Sequence, residues 1–131
     1  MPRVAIIILN WNGWKDTIQC LDSIINNKYN NYKIFICDNG SKDGSLKYIR
    51  EWISGKLSDQ ILDQLNVSQK TINTYCLEYA YSDIKNDEIV LSGNYPHLVM
   101  IDIADNLGFS GGNNVGIRLA LKDSKIEYFW L

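Results

Sequence analysis

Residues 32–45 (YKIFICDNGSKDGS) limit the fold of this chain more than any other stretch. A short apolar run gives way at Asp38 to turn residues, which include an Asn-Gly and an Asp-Gly pair. This order predicts a buried strand, a tight turn and a helix that starts near Gly44, with Asp43 as its N-cap. Asp38 is therefore expected at the carboxyl end of a strand, where open α/β sheets bind ligands. The alternative is that Asp38 only caps a loop.

The same order of strand, turn and helix occurs at the start of the chain. Residues 3–9 (RVAIIIL) are apolar and rich in β-branched side chains without alternation, as in a strand that is covered on both faces. They end in Asn-Trp-Asn-Gly at positions 10–13, and apolar residues at helical spacing follow, namely Trp14, Ile18, Leu21 and Ile25. Two such units with short connections predict parallel strands joined by a right-handed crossover.

Two further apolar runs extend this pattern. Residues 98–103 (LVMIDI) predict a third core strand, and residues 127–131 (EYFWL) predict the start of a fourth. We therefore predict an α/β fold with a mostly parallel sheet and helices on both faces.

Residues 56–97 interrupt the alternation of strands and helices. We interpret them as an insertion, within a single domain of residues 1–131, that packs on the edge of the sheet. Apolar spacing predicts a short helix in their first part. Alternation over residues 71–81 predicts a half-buried strand, with residues 88–91 as its hairpin partner. One face of that strand would carry Tyr75, Leu77, Tyr79 and Tyr81.

Composition and charge exclude several classes of protein. The net charge is −2 and the sequence pI is near 5.3, so the chain has no basic field for nucleic acid. The longest apolar run, residues 4–9, is too short to span a bilayer, and no signal-peptide cleavage pattern is present. A cytoplasmic location is predicted, with peripheral membrane association left open. The three cysteines include no CxxC pair and predict neither a disulfide framework nor a zinc site.

A glycine-rich stretch at residues 106–116 (NLGFSGGNNVG) follows the third predicted strand and opens a helix. Glycines in such a turn let backbone N–H groups approach a ligand, and a helix N-terminus favours anionic groups. The stretch is neither a P-loop nor a GxGxxG fingerprint. Alternatively, its glycines let the helix pack closely on the strands.

Three polar strand ends should therefore meet at one edge of a parallel sheet, at residues 10–12, 38–41 and 106–114. They supply side-chain amides, a carboxylate and backbone amides, which suit a nucleotide base and its ribose. They supply no cation for a pyrophosphate, so a metal ion or a basic group from elsewhere would be needed.

The motifs VAIIILNWNG, IFICDNGSKDGS and NLGFSGGNNVGI resemble those of the family 2 glycosyltransferases, in particular the rhamnosyltransferase-like members with a GT-A fold. The segment EYFWL is similar to the lead-in to the fourth strand of that family. The resemblance implies a Rossmann-like nucleotide-binding half, truncated after the fourth core strand. It also implies transfer of a sugar from a nucleoside diphosphate donor, UDP- or dTDP-linked, to a hydroxyl acceptor, usually with inversion.

The resemblance also implies a nucleotide-binding site at the three strand ends. In it, Asp38 would accept a hydrogen bond from the N3–H of uracil or thymine, which suits a carboxylate because it is only an acceptor. The other expected nucleotide-binding residues are Asn10, Trp11, Asn12, Asn39, Ser41, Asn106, Gly108, Phe109, Gly111, Gly112, Asn113 and Asn114.

The sequence departs from the family pattern where the metal-binding acidic motif should follow the fourth strand, since the chain ends at Leu131. Asp102 and Asp105 come too early to be that motif. We therefore expect Mg²⁺ or Mn²⁺ in the full-length enzyme and none in this chain. No catalytic residue or metal ligand is assigned, and the chain alone is expected to be inactive.

Two other functions remain open. The chain could be a non-catalytic interaction module in which residues 56–97 present Tyr75, Tyr79 and Tyr81 to a partner. A nucleotidyltransferase is a weaker alternative, because residues 10–13 lack the expected Gly-rich basic run. We also expect self-association through the exposed strand edge at residues 128–131, and we leave membrane association to the full-length protein.

Overall fold

The structure, a computed structural model, describes residues 2–68, 76–85, 89–92 and 94–131. Within these residues the chain forms a five-stranded parallel sheet with strand order β3-β4-β2-β1-β5. The strands are β1 (Arg3–Asn10), β2 (Tyr32–Asp38), β3 (Leu77–Ala80), β4 (Leu98–Asp102) and β5 (Ile126–Trp130). The helices are α1 (Trp14–Ile25), α2 (Ser45–Ile53), α3 (Asp59–Leu65), α4 (Tyr81–Lys85) and α5 (Gly108–Ala120). The predicted α/β class is confirmed.

Two hydrophobic clusters cover the two faces of the sheet, which explains why the strand sequences do not alternate. Ile34 and Ile36 of β2 pack on one face with α1, α2 and α3. Phe35 and Cys37 pack on the other face with α4 and α5. All four side chains are fully buried. A strand in the middle of such a sheet has no solvent-facing side, so every position favours an apolar residue.

The segment at residues 56–97 contributes an edge strand, but its details differ from the prediction. β3 pairs in parallel with β4 and ends at Ala80. The strand prediction was wrong at Tyr81, where α4 begins; the Asp83 carboxylate accepts a hydrogen bond from the Ala80 N–H at this junction. The hairpin prediction was also wrong, because residues 89–91 form no strand and β3 already pairs with β4. Glu88 and Tyr75 lie outside the described residues.

The tyrosines of this segment that the structure describes are partly buried. Tyr79 and Tyr81 both pack against the cluster on the α5 face. A row of exposed aromatic side chains, which would favour an interaction module, is therefore not formed by these two residues.

A polar network at the amino edge of the sheet ties three segments together. The Arg3 guanidinium lies 2.8 Å from Asp123, and the Tyr95 hydroxyl donates to the same carboxylate oxygen. The Lys33 ammonium lies 4.1 Å from the centroid of the Tyr95 ring, and burial lowers the pKa of Lys33. This network fixes the loops before β4 and β5 at the end of the sheet opposite the polar strand ends.

The three cysteines differ in their exposure, since Cys20 is exposed, Cys37 is buried and Cys76 is intermediate. Cys20, Cys37 and Cys76 form no disulfide, and burial raises the pKa of both Cys37 and Cys76 to about 12. Those two thiols therefore stay protonated and serve as small apolar side chains.

In the part of the chain that the structure describes, no helix has the length and apolar character needed to cross a bilayer.

Candidate functional site at the carboxyl edge of the sheet

The carboxyl ends of the three central strands lie side by side. Asn10 of β1 pairs in register with Asp38 of β2, and Asp38 pairs with Asp102 of β4. The chain enters a polar loop after each of these residues. The structure thus brings the three predicted motifs to one edge, because parallel strands end at the same side of a sheet.

The first group at this edge, the Asp38 cluster, consists of Asn10, Asn12, Thr17, Asp38 and Ser41. The Asp38 carboxylate accepts hydrogen bonds from Asn10 Nδ2 at 2.8 Å, Ser41 Oγ at 2.6 Å and Ser41 N at 3.1 Å. Thr17 of α1 donates to Asn10 Oδ1 at 2.7 Å, and Asn12 N donates to Ser41 Oγ at 2.8 Å. These hydrogen bonds connect the carboxyl ends of β1 and β2 to the start of α1.

Asp38 itself has little contact with solvent. The residue is 1% exposed, and both of its carboxylate oxygens accept hydrogen bonds from protein donors. In this arrangement the Asp38 side chain organises the turn. A base could contact its carboxylate only if the side chains that cover it moved aside. A direct contact between Asp38 and a base therefore stays a prediction.

The second group, the Asn39 bridge, joins the turn after β2 to the start of α5. Asn39 Nδ2 donates to Asn106 Oδ1 at 3.0 Å and to the Gly108 carbonyl at 3.1 Å. Its Oδ1 accepts from Leu107 N at 3.0 Å. Asn39 is buried, and both the NH₂ group and the oxygen of its side-chain amide are hydrogen-bonded to protein groups. Asn39 therefore positions the loop around Asn106, and contacts with a ligand would come from the exposed residues.

The glycine-rich stretch is mostly helix, so its interpretation as a turn was wrong for residues 108–116. α5 begins at Gly108, whose φ of +76° favours glycine. A Cβ on Gly112 would overlap Leu9 Cδ1 and lie 3.1 Å from Asn39 Cγ. A Cβ on Gly116 would lie 2.6 Å from Cys37 Sγ. Close packing of α5 on β1 and β2 therefore accounts for these two glycines.

The two groups lie at the same edge but on opposite faces of the sheet. Asp38 and Asn10 point towards α1, as the contact with Thr17 shows, whereas α5 packs on the face that holds Cys37. Asn39 connects the faces at the edge. A ligand that touches both groups would have to lie across the ends of the strands.

The remaining predicted residues differ in their exposure. Two aromatic side chains at the edge reach into solvent, since Trp11 is 56% exposed and Phe109 is 74% exposed. Asn12, Asn106, Gly108 and Asn114 are also exposed, Ser41 and Gly111 are intermediate, and Gly112 and Asn113 are buried. The exposed residues are those that a ligand can reach directly.

Thr17 and Asp102 were not predicted as part of the site. Thr17 lies on the buried face of α1, beside Ile18 and Leu21. In the sequence, a polar residue on this otherwise apolar helix face was the signal that could have indicated its role in the site. Asp102 occupies the last position of β4, in register with Asp38. Its place in the sheet could be inferred only from the pairing of the strands.

The described residues contain no group of three or more His, Cys, Asp or Glu side chains that could hold a metal ion. Asp102 and Asp38 are neighbours in the sheet, but no third such residue completes a set with them. These residues therefore do not fit a divalent metal site, and we assign no metal ligand.

Comparison with known proteins adds an independent observation. Residues 5–65 match the family model described as "Glycosyl transferase family 2". A protein of Bacillus subtilis (strain 168) named "Putative glycosyltransferase EpsE" is 27% identical over 85 residues, which are 63% of this chain and 30% of that protein. The aligned part thus spans less than a third of this relative. No solved structure matches the chain. Residues 5–65, which carry the Asp38 cluster, are thus similar to glycosyl transferase family 2.

Proposed function

We propose that this chain forms the nucleotide-sugar binding part of a glycosyltransferase that transfers a sugar from a UDP- or dTDP-linked donor to a hydroxyl group. The observation that carries the proposal is the meeting of three polar strand ends at one edge, in a hydrogen-bonded arrangement. Two of these strand ends lie inside the segment that matches the family.

The proposed site divides its residues into two roles. Asn10, Asp38 and Asn39 are buried and position the loops. Trp11 and Phe109 offer exposed aromatic faces to the base or the sugar, because nucleobases stack on such rings. Exposed amides at Asn12, Asn106 and Asn114 can exchange hydrogen bonds with ribose hydroxyls, and Ser41, Gly108, Gly111, Gly112 and Asn113 shape the surface between them.

The chemical step is proposed for the whole protein. A carboxylate would deprotonate the acceptor hydroxyl as it attacks the anomeric carbon, and the nucleoside diphosphate would leave. No described residue is assigned to either task, and Mg²⁺ or Mn²⁺ would be held by residues other than these. This chain by itself is proposed to bind the donor without transferring its sugar.

Calorimetric titration of the chain with UDP and dTDP, with and without Mn²⁺, tests the proposal. We expect saturable binding that Mn²⁺ does not change. Trp11→Ala should weaken it about 5- to 100-fold, which is the range for loss of one stacked base. Trp130→Ala is the matched control, since Trp130 is a similarly exposed tryptophan (61%) on β5, away from this edge. Absence of binding, or an equal loss in both variants, would contradict the proposal.

We further propose that copies of the chain associate through β5. This strand lies at the end of the strand order, and Tyr128, Phe129, Trp130 and Leu131 all expose apolar surface. An unpaired apolar edge of this kind invites pairing with another chain. In sedimentation velocity the mean mass should rise with concentration, and Trp130→Lys should reduce this rise while Val90→Lys, at another exposed apolar residue, should not. A concentration-independent monomer would refute the association.

A further inference from the structure

An apolar groove, which we call the α1 groove, lies beside β5 on the face of the sheet that α1 covers. Its wide part is a cavity of about 470 Å³, whose walls include Val4, Ile6, Ile24, Tyr29 and Trp130. A second cavity of about 210 Å³ shares Ile6, Ile24 and Trp130 with the first and continues the groove as far as Ile8 and Leu131. The groove thus follows β1 and β5 along their length.

The groove exists because the apolar cover of this face thins from β2 to β5. Ile34 and Ile36 of β2 are fully buried under the helices, whereas Val4 and Ile8 of β1 are only partly buried. Trp130 of β5 lines the groove and is 61% exposed. An inner strand with partly exposed apolar side chains and an outer strand with an exposed tryptophan form a surface that another chain can cover.

The same surface carries protruding aromatic side chains at its rim. Tyr128 and Trp130 are in register with Val4 and Ile6, which belong to the cluster on the α1 face. Side chains that lie opposite each other on paired strands share a face, so both aromatic side chains stand on the groove side of β5. A surface with both a groove and a protrusion can be complementary to itself about a two-fold axis.

The direction and register of β5 favour this match. A two-fold axis perpendicular to the sheet pairs two β5 edges in antiparallel directions and keeps both α1 faces on one side. Centring the pair on Tyr128 uses the whole strand and places Trp130 opposite Ile126 of the second copy. Ile126 packs on the α5 face and pairs with Arg3, next to Val4 in the wide part of the groove. Each Trp130 therefore faces open space in the other copy's groove.

We propose that two copies of the chain associate about such an axis, with Trp130 of each copy seated in the α1 groove of the other, against Val4 and Tyr29. The inference rests on the proposed association through β5 and identifies the surface that receives the strand. An aromatic side chain buries about 150–250 Å². The exposed parts of Tyr128, Trp130 and Leu131, together with the groove walls, would bury on the order of 1,000 Å² in total, which is near the lower limit of a specific interface. The dimer is therefore expected to be weak and to depend on concentration.

Ser23→Trp tests the groove separately from the strand edge. Ser23 is an exposed residue of α1 that lines the wide part of the groove, so an indole there would occupy it without altering β5. In sedimentation velocity, Ser23→Trp and Trp130→Ala should each raise the dimer Kd about 10- to 100-fold, the range for loss of a central aromatic contact. Gln64→Trp, which adds the same side chain at an exposed position of α3, should leave the Kd unchanged.

NMR on an equimolar mixture of labelled and unlabelled chains detects the contact itself. We expect intermolecular NOEs between the Val4 methyl groups of the labelled copy and an indole of the unlabelled copy, and their loss when the unlabelled copy carries Trp130→Ala. A dimer that lacks these NOEs, or one that Ser23→Trp leaves intact, would overturn the seating of Trp130 while the association through β5 stands. A wild-type chain that stays monomeric overturns both. Neither result bears on the nucleotide site, since Ser23→Trp should leave the affinity for UDP unchanged.

Discussion

Replacing Asp38 with alanine is expected to lower the free energy of unfolding by about 3 kcal/mol, because a buried network would lose its central acceptor. The carboxylate accepts hydrogen bonds from the Asn10 amide and from both the hydroxyl and the backbone N–H of Ser41. Asn10 and Asp38 are each 1% exposed, so water does not readily replace the lost acceptor. A buried donor without a partner costs about 1–3 kcal/mol.

Urea unfolding followed by circular dichroism measures this effect. Asp105→Ala is the control, because Asp105 is exposed and its side chain makes no hydrogen bond to the described residues; we expect a change below about 0.5 kcal/mol. Asp38→Asn should lower the free energy of unfolding by an amount between those of Asp38→Ala and Asp105→Ala. The new side-chain amide keeps one acceptor oxygen, but its NH₂ group faces groups that are themselves hydrogen-bond donors. Equal stability of Asp38→Ala and Asp105→Ala would show that the Asp38 cluster does not hold the edge together.

Replacing Gly116 with valine is expected to destabilise the protein by about 3 kcal/mol through overpacking between α5 and the sheet. A Cβ at this position would lie 2.6 Å from Cys37 Sγ and 3.0 Å from Ile7 Cγ2. Both neighbours are buried in central strands. α5 would have to shift away from β1 and β2, and the shift would also disturb the Asn39 bridge at its start.

The same substitution at an exposed position of α5 provides the control. Ser110→Val should cost less than about 0.7 kcal/mol, because only helix propensity changes there. Adding Cys37→Ala to Gly116→Val should be less destabilising than the sum of the two single variants, since it removes the sulfur that the new side chain meets. Additive effects, or a Gly116→Val variant as stable as Ser110→Val, would argue against close packing at this position.

The core strands could be predicted from the sequence because burial on both faces leaves a direct signal. Residues 34–37 are apolar without a break, and the structure covers both sides of them. The glycine-rich stretch was harder, because glycine has a low helix propensity and the pattern favoured a turn. Its helical form depends on the close approach of α5 to Leu9 and Cys37, which is a tertiary contact that no local pattern contains.

The meeting of the motifs at one edge was predictable, but the role of each side chain was not. Parallel strands bring their carboxyl ends together, so Asn10, Asp38 and the residues after β4 had to be neighbours. Whether a carboxylate is buried or open depends on its partners. Ser41 and Asn10 enclose Asp38, whereas no described residue donates to Asp102. Such differences arise from three-dimensional packing between distant segments.

Mapping of UDP binding by ¹H–¹⁵N NMR on the labelled chain tests most directly whether the carboxyl edge is the nucleotide site. We predict that the largest shift changes fall on the amides of Asn12, Gly40, Ser41, Asn106 and Gly108. The α1 groove, with its cavity of about 470 Å³, lies elsewhere and is lined by apolar and aromatic residues that include Val4, Ile24 and Tyr29. Shift changes centred on that cavity, with the strand ends unaffected, would contradict the assignment of the site.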